Sequence, residues 1–135
     1  MLMFGQSIYI EKIYTTIELK KALSKVFAIE PERIRFIKDI NNWLSVEDID
    51  MICELGLTNC EYRIVGDIDV INPALRYEQP QQLLINLSKE LDCNILMSDK
   101  SVCPYTWDCI KPDGSIENIS FDVEQYDNAE YQSLI

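Results

Sequence analysis

Residues 60–99 constrain the fold most, because they read as strand, helix and strand. From Glu61 to Ile71 the side chains alternate. Tyr62, Ile64, Ile68 and Val70 fall on one side; Arg63, Asp67 and Asp69 fall on the other, with Val65 and Ile71 among them. A period of two is that of a strand buried on one face. Gly66 in its middle predicts a bulge or the close approach of another backbone. Asn72-Pro73 breaks the run. Pro80 suits the first turn of a helix, where its missing N–H has no partner to lose. Leu83, Leu84, Leu87 and Leu91 then make one apolar stripe, and Asn94 can take a left-handed cap. Ile95-Leu96-Met97 is a short apolar strand. A crossover of this length makes its two strands parallel.

The flanking segments fit around that unit. Residues 7–14, rich in Ile and Tyr, predict a first strand. Thr15 and Glu18 supply a capping box, and Leu19, Ala22, Leu23, Val26 and Phe27 supply the buried stripe of a helix that Pro31 stops. Residues 33–38 alternate as a second strand, and Asn41-Asn42 turns the chain. Ser45 is placed to cap a short helix with apolar positions Val46, Ile49, Ile52 and Cys53, closed by Gly56. Residues 105–110 and 115–124 predict a hairpin about Lys111-Pro112-Asp113-Gly114, a strong turn sequence. Residues 125–135 read as a short acidic tail, loosely attached. No linker divides the chain, so residues 1–135 are expected to form one domain. The order predicts an α+β protein: a ferredoxin-like split β-α-β sandwich, helices on one sheet face, extended by a C-terminal β-hairpin.

Composition narrows the chemistry. Histidine is absent, which removes the commonest general base and most zinc and transition-metal ligand sets. The five cysteines have neither zinc-site nor disulfide-framework spacing, so they read as buried thiols of a reducing cytoplasm. No apolar run is long enough to span a membrane, and the N-terminal residues lack the pattern of a signal peptide. With four glycines and no phosphate-cradling or nucleophile-elbow motif, the sequence offers no catalytic residue and no cofactor site. The net charge is −11, but residues 1–45 carry +2 and residues 46–135 carry −13. Such a field repels nucleic acid and anionic membrane and attracts a basic protein.

Two acidic groups are the candidate binding residues. Asp67 and Asp69 share one face of a strand. Carboxylates two residues apart can share a divalent metal, but the phosphate-binding Gly-Ser pair that accompanies them in nucleotidyltransferases is missing. They are therefore expected to meet a basic partner rather than a metal. Asp108, Asp122, Glu124, Asp127 and Glu130 make the second group, with Trp107, Tyr126 and Tyr131 interleaved. Of these, Tyr126 is the aromatic counted with the binding residues. Aromatics supply buried area and carboxylates pair with Arg or Lys, which is the chemistry of an interface.

In its 60–99 unit and its acidic end, from Phe121 to Tyr131, the chain resembles the small acidic α+β immunity proteins of bacterial contact-dependent inhibition and other polymorphic toxin systems. The resemblance implies a cytoplasmic inhibitor that binds and neutralises a basic, nuclease-type toxin domain. It carries no motif from which site residues can be transferred. The alternatives are a small regulatory or ligand-binding domain, and an enzyme that uses Asp67 and Asp69.

Overall fold

The computed structural model describes residues 4–37, 48–77, 79–99, 101, 103, 105–127, 129 and 131–134, with residues 127 and 133 described for the backbone only. Along the chain lie β1 (Gly5–Ile10), α1 (Thr16–Phe27), a 3₁₀ turn (Pro31–Arg33), β2 (Ile34–Phe36), β3 (Met51–Leu57) and β4 (Ile64–Val70). They are followed by α2 (Pro80–Leu91), β5 (Ile95–Ser98), β6 (Thr106–Ile110), β7 (Ile116–Ser120), α3 (Glu124–Asp127) and β8 (Gln132–Ser133). The class is α+β. Seven strands form one open sheet in the order β2-β3-β4-β1-β5-β6-β7, and β8 pairs with β3. Among the described residues, only β2 and β3 run parallel; every other pair is antiparallel. β4 and β5, joined through α2, both run opposite to β1, which lies between them. The crossover strands are thus parallel but not adjacent.

The helices form where local signals and periodicity agree. Thr15 accepts from the Glu18 N–H, Glu18 reaches back to the Thr15 N–H, and α1 starts there. It ends at Ala28, in the left-handed conformation. Pro80 opens α2 as the sequence predicts, but the left-handed cap is Asp92, not Asn94. Asp and Asn both tolerate that conformation, and helix length decided between them. Leu19, Ala22, Leu23 and Phe27 of α1 and Leu84, Leu87 and Leu91 of α2 pack on one sheet face. They meet Ile8, Ile10, Cys53, Leu55, Ile64, Ile68, Ile95 and Ile110 there.

The opposite face is covered only in parts. Towards β5–β7, Tyr9, Trp107, Phe121 and Tyr126 form an aromatic cluster with Tyr62, Leu96 and Cys109. Tyr9 meets Trp107, Phe121 and Tyr126 edge-on at ring-centroid separations of 5.0, 5.1 and 4.9 Å. Tyr62, expected on the face of Ile64, belongs to this cluster instead, because it precedes the first paired residue of β4. Towards β2, Ile37, Ile49 and Ile52 form a smaller apolar patch.

The helix expected around residues 45–56 is not formed where the structure is described: residues 51–57 are β3. Residues 45–47 and the Asn41-Asn42 turn lie outside the described residues. Ile49, Ile52 and Cys53 match a helical spacing, but Met51, Cys53 and Leu55 match a strand equally well. Met51, Cys53 and Leu55 face the helices, and Ile52 packs on the other side. A short run buried on both faces has no periodicity that separates the two possibilities. The strand expected over 115–124 stops at Ser120. The tail expected to hang loosely is attached in its described parts, through buried Tyr126 and the pairing of β8 with β3. Four cysteines are buried thiols, but Cys103 is exposed.

One buried carboxylate ties the β2–β3 edge to the end of β4. Asp50, 7% exposed, accepts two hydrogen bonds from the Arg33 guanidinium at 2.8 and 2.9 Å and one from the Asn72 amide at 2.9 Å. Arg33 is thereby committed to structure. The Arg33 hydrogen bonds pull the Asp50 pKa below the ordinary carboxylate value, outweighing burial, and Asn72 adds to the effect. A depressed folded pKa stabilises above the unfolded value and loses that stability as pH falls through the folded one. Asp50→Ala is therefore expected to cost about 2–3 kcal/mol at neutral pH. In urea melts the gap to the parent protein should narrow below about pH 4. A gap that widens on acidification contradicts this role.

Candidate functional site

Between the aromatic cluster and the Ile37–Ile49–Ile52 patch, the face away from the helices is polar. The sheet register builds this strip. Glu54 of β3 lies opposite Asp67 of β4, and Ile52 lies opposite Asp69. On the other side of β4, Ser7 of β1 pairs with Asp67 and Gly5 pairs with Asp69. Alternation places Glu54, Asp67 and Asp69 on the same face. Asp67 is exposed and accepts from the Ser7 hydroxyl at 2.5 Å. Asp69 is half-buried, and its Oδ1 occupies space that a Cβ on Gly5 would approach to 2.9 Å.

The strip concentrates its electrostatic cost at Asp69. Among the described residues, no hydrogen bond or ion pair reaches the Asp69 carboxylate. Burial first, and the Asp67 charge second, push its pKa up. Like charges close together on one sheet face, as Asp67 and Asp69 are, weaken a sheet. A raised folded pKa stabilises below the unfolded value and loses that contribution as pH rises through the folded one. Asp69→Asn should therefore stabilise the free protein at pH 7 by up to about 1 kcal/mol. The gain should disappear below about pH 4, where the parent carboxyl is protonated. Thermal melts at the two pH values check this, and a destabilised variant at pH 7 contradicts it.

The second acidic group is not one surface. Asp108 shares its register with Met97 of β5 and Asn118 of β7, on the helix side of the sheet. There the Asn118 amide donates to both Asp108 and Asp99, at 3.0 and 2.9 Å. Asp122 and Glu124 are exposed beyond the aromatic cluster. Asp122 accepts from the Glu124 N–H at 3.1 Å, and Glu124 accepts from the Tyr105 hydroxyl at 2.5 Å. Tyr126, counted among the contact residues from sequence, is 1% exposed. Its hydroxyl oxygen accepts from the Tyr62 N–H at 2.9 Å, so its role is to close the second core. Asp127 lies in α3, where only its backbone is described, and Glu130 lies outside the described residues.

The face is thus acidic at Glu54, Asp67 and Asp69, aromatic at Tyr9, Trp107 and Phe121, and acidic again at Asp122 and Glu124. Sequence reasoning missed Glu54 and Tyr105. Glu54 was hidden by the helical reading of its segment; Tyr105 becomes relevant only through its tertiary contact with Glu124. Among the described residues, no group of three or more His, Cys, Asp or Glu side chains is placed to hold a metal ion. No helix among them is long and apolar enough to cross a membrane. Comparison of the chain with protein-family models, with curated proteins and with solved structures finds no match.

Proposed function

We propose that this chain is a protein-binding inhibitor: an immunity protein that binds and neutralises a basic, nuclease-type toxin in the cytoplasm. The observation that carries the reading is Asp69, a half-buried carboxylate beside Asp67 without a partner among the described residues. Such a charge costs stability in the free protein and is relieved when a Lys or Arg arrives. Nuclease domains carry basic surfaces because they bind phosphate, so an acidic face is steered towards them. The neighbouring aromatic cluster supplies the apolar area that charge alone does not.

In the same reading, β3-β4-β1-β5 with α1 and α2 form a ferredoxin-like split β-α-β sandwich, with β6 and β7 as the added hairpin. Within these four, each adjacent pair is antiparallel, and both helices pack on one face. That arrangement leaves the other face available to a partner. The reading assigns no catalytic step and no cofactor.

Pull-down from the source organism's lysate at low salt, eluted with a salt gradient, tests it. The expected result is one stoichiometric basic protein released at high salt, whose toxicity is suppressed when this chain is co-expressed. No retained protein, together with a melting temperature raised by small ligands, would favour a ligand-binding domain instead.

A further inference from the structure

The acidic strip is bordered by a cleft of about 470 Å³, within the range of about 300–1,000 Å³ over which pockets hold ligands. Its floor is bare at Gly56 on β3, with the backbone of Gly66 on β4 also lining it. Glu54 and Asp67 line one end, with Val65 beside the floor. Tyr131, on the segment leading into β8, covers the other end. Its ring lies so close over Gly56 that a Cβ on that residue would sit 3.3 Å from the Tyr131 Cδ1. The Tyr131 hydroxyl donates to the Tyr126 carbonyl at 2.6 Å, and Tyr126 is itself buried. The ring is therefore fixed, while half its surface, 49%, remains exposed.

We infer that this cleft is the socket for an arginine side chain of the partner protein, its guanidinium set between the Glu54–Asp67 carboxylates and the Tyr131 ring. This deepens the inhibitor reading and rests on it. A guanidinium is planar, stacks on aromatic rings and pairs with carboxylates through forked N–H groups. Each of these features has a counterpart in the lining. The Ser7 hydroxyl holds Asp67 Oδ1, which orients the carboxylate before the guanidinium arrives. The net charge of −11 favours a cation over an anion or a neutral ligand. An inserted arginine packed against a fixed aromatic ring is the kind of anchor that dominates binding at an interface.

The glycines that build the cleft also report on it. The chain has four glycines, and their amide signals are read in ¹⁵N–¹H spectra. Gly56 and Gly66 form the floor, Gly5 sits against Asp69, and Gly114 lies against Lys89. N-acetylarginine amide is the probe, and N-acetylcitrulline amide is its uncharged counterpart. The expected result is a saturable shift of Gly56 and Gly66 with the arginine probe, no shift of Gly114, and none with citrulline. Asp67→Asn, an exposed substitution checked for folding by circular dichroism, should weaken the arginine Kd by about tenfold. Equal response to citrulline, or a shift at Gly5 without Gly56 and Gly66, would overturn the socket. So would an unchanged Kd in Asp67→Asn. A basic protein captured through Asp67 and Asp69 with the floor glycines unmoved would remove the socket and leave the inhibitor reading standing. A socket that binds the arginine probe in a chain that captures no basic protein would do the reverse.

Discussion

Gly66→Ala is expected to destabilise the protein by about 3–5 kcal/mol, a large part of the 5–15 kcal/mol or so that holds a domain folded. Gly66 has a φ of 155°, where a side chain is strained. A Cβ there would also lie 1.9 Å from the Glu54 carbonyl oxygen, a backbone atom that cannot swing aside. Only displacement of β3 from β4 makes room, and that pair is central to the sheet, with seven residues in register on each strand. Gly114 also has positive φ, at 89°, but it sits in the exposed hairpin turn and its nearest neighbours are flexible side-chain atoms 3.6 Å away. Gly114→Ala should cost about 1 kcal/mol. Urea unfolding of both variants provides the comparison. Equal losses, or a Gly66→Ala loss below about 1 kcal/mol, would mean that β3 and β4 do not approach each other as described.

The second large effect is expected at Tyr126. Its ring packs against Tyr9 at 4.9 Å and Phe121 at 5.1 Å. Its hydroxyl satisfies the buried Tyr62 N–H, and its carbonyl holds Tyr131. Tyr126→Ala empties this position, at an expected cost of about 3–5 kcal/mol. Tyr126→Phe keeps the ring and leaves the Tyr62 N–H without its partner, at about 1–2 kcal/mol. The Ala variant should also expose Trp107, which rests on Tyr9, so its fluorescence should shift to longer wavelength before global unfolding. If both variants melt like the parent, the C-terminal segment does not close this core.

The elements that sequence disclosed best were those whose signals were local and redundant. Thr15 and Glu18 announce α1 through a capping box, Pro80 and four leucines announce α2, and Lys111 to Gly114 announce the β6–β7 turn. Gly66 was legible as a close approach, although its neighbour, the Glu54 carbonyl, was not. What failed was nonlocal. β3 reads as a helix because its apolar residues serve both faces of a central strand. Asp108 and Asp122 look like one acidic group along the chain, yet Asp108 pairs in register with the helix-facing residues and Asp122 lies past the end of β7. Tyr126 carries the composition of an interface residue, and only the tertiary fold shows that Tyr9 and Phe121 cover it. Asp67 and Asp69 were found from their spacing, because a strand's period of two fixes a shared face without tertiary information. Glu54 required the register of β3 against β4.

The most direct test compares the parent protein with Asp67→Lys/Asp69→Lys as immobilised bait for basic protein at low salt. Both side chains lie on the face away from the helices, so the variant should fold; near-parent circular dichroism and melting temperature establish that it does. A basic protein held stoichiometrically by the parent and lost by the folded double variant is the predicted result, with loss of rescue in cells that co-express that protein. Equal retention by the two baits, or rescue that survives the charge reversal, would contradict the assignment of this face as the docking surface.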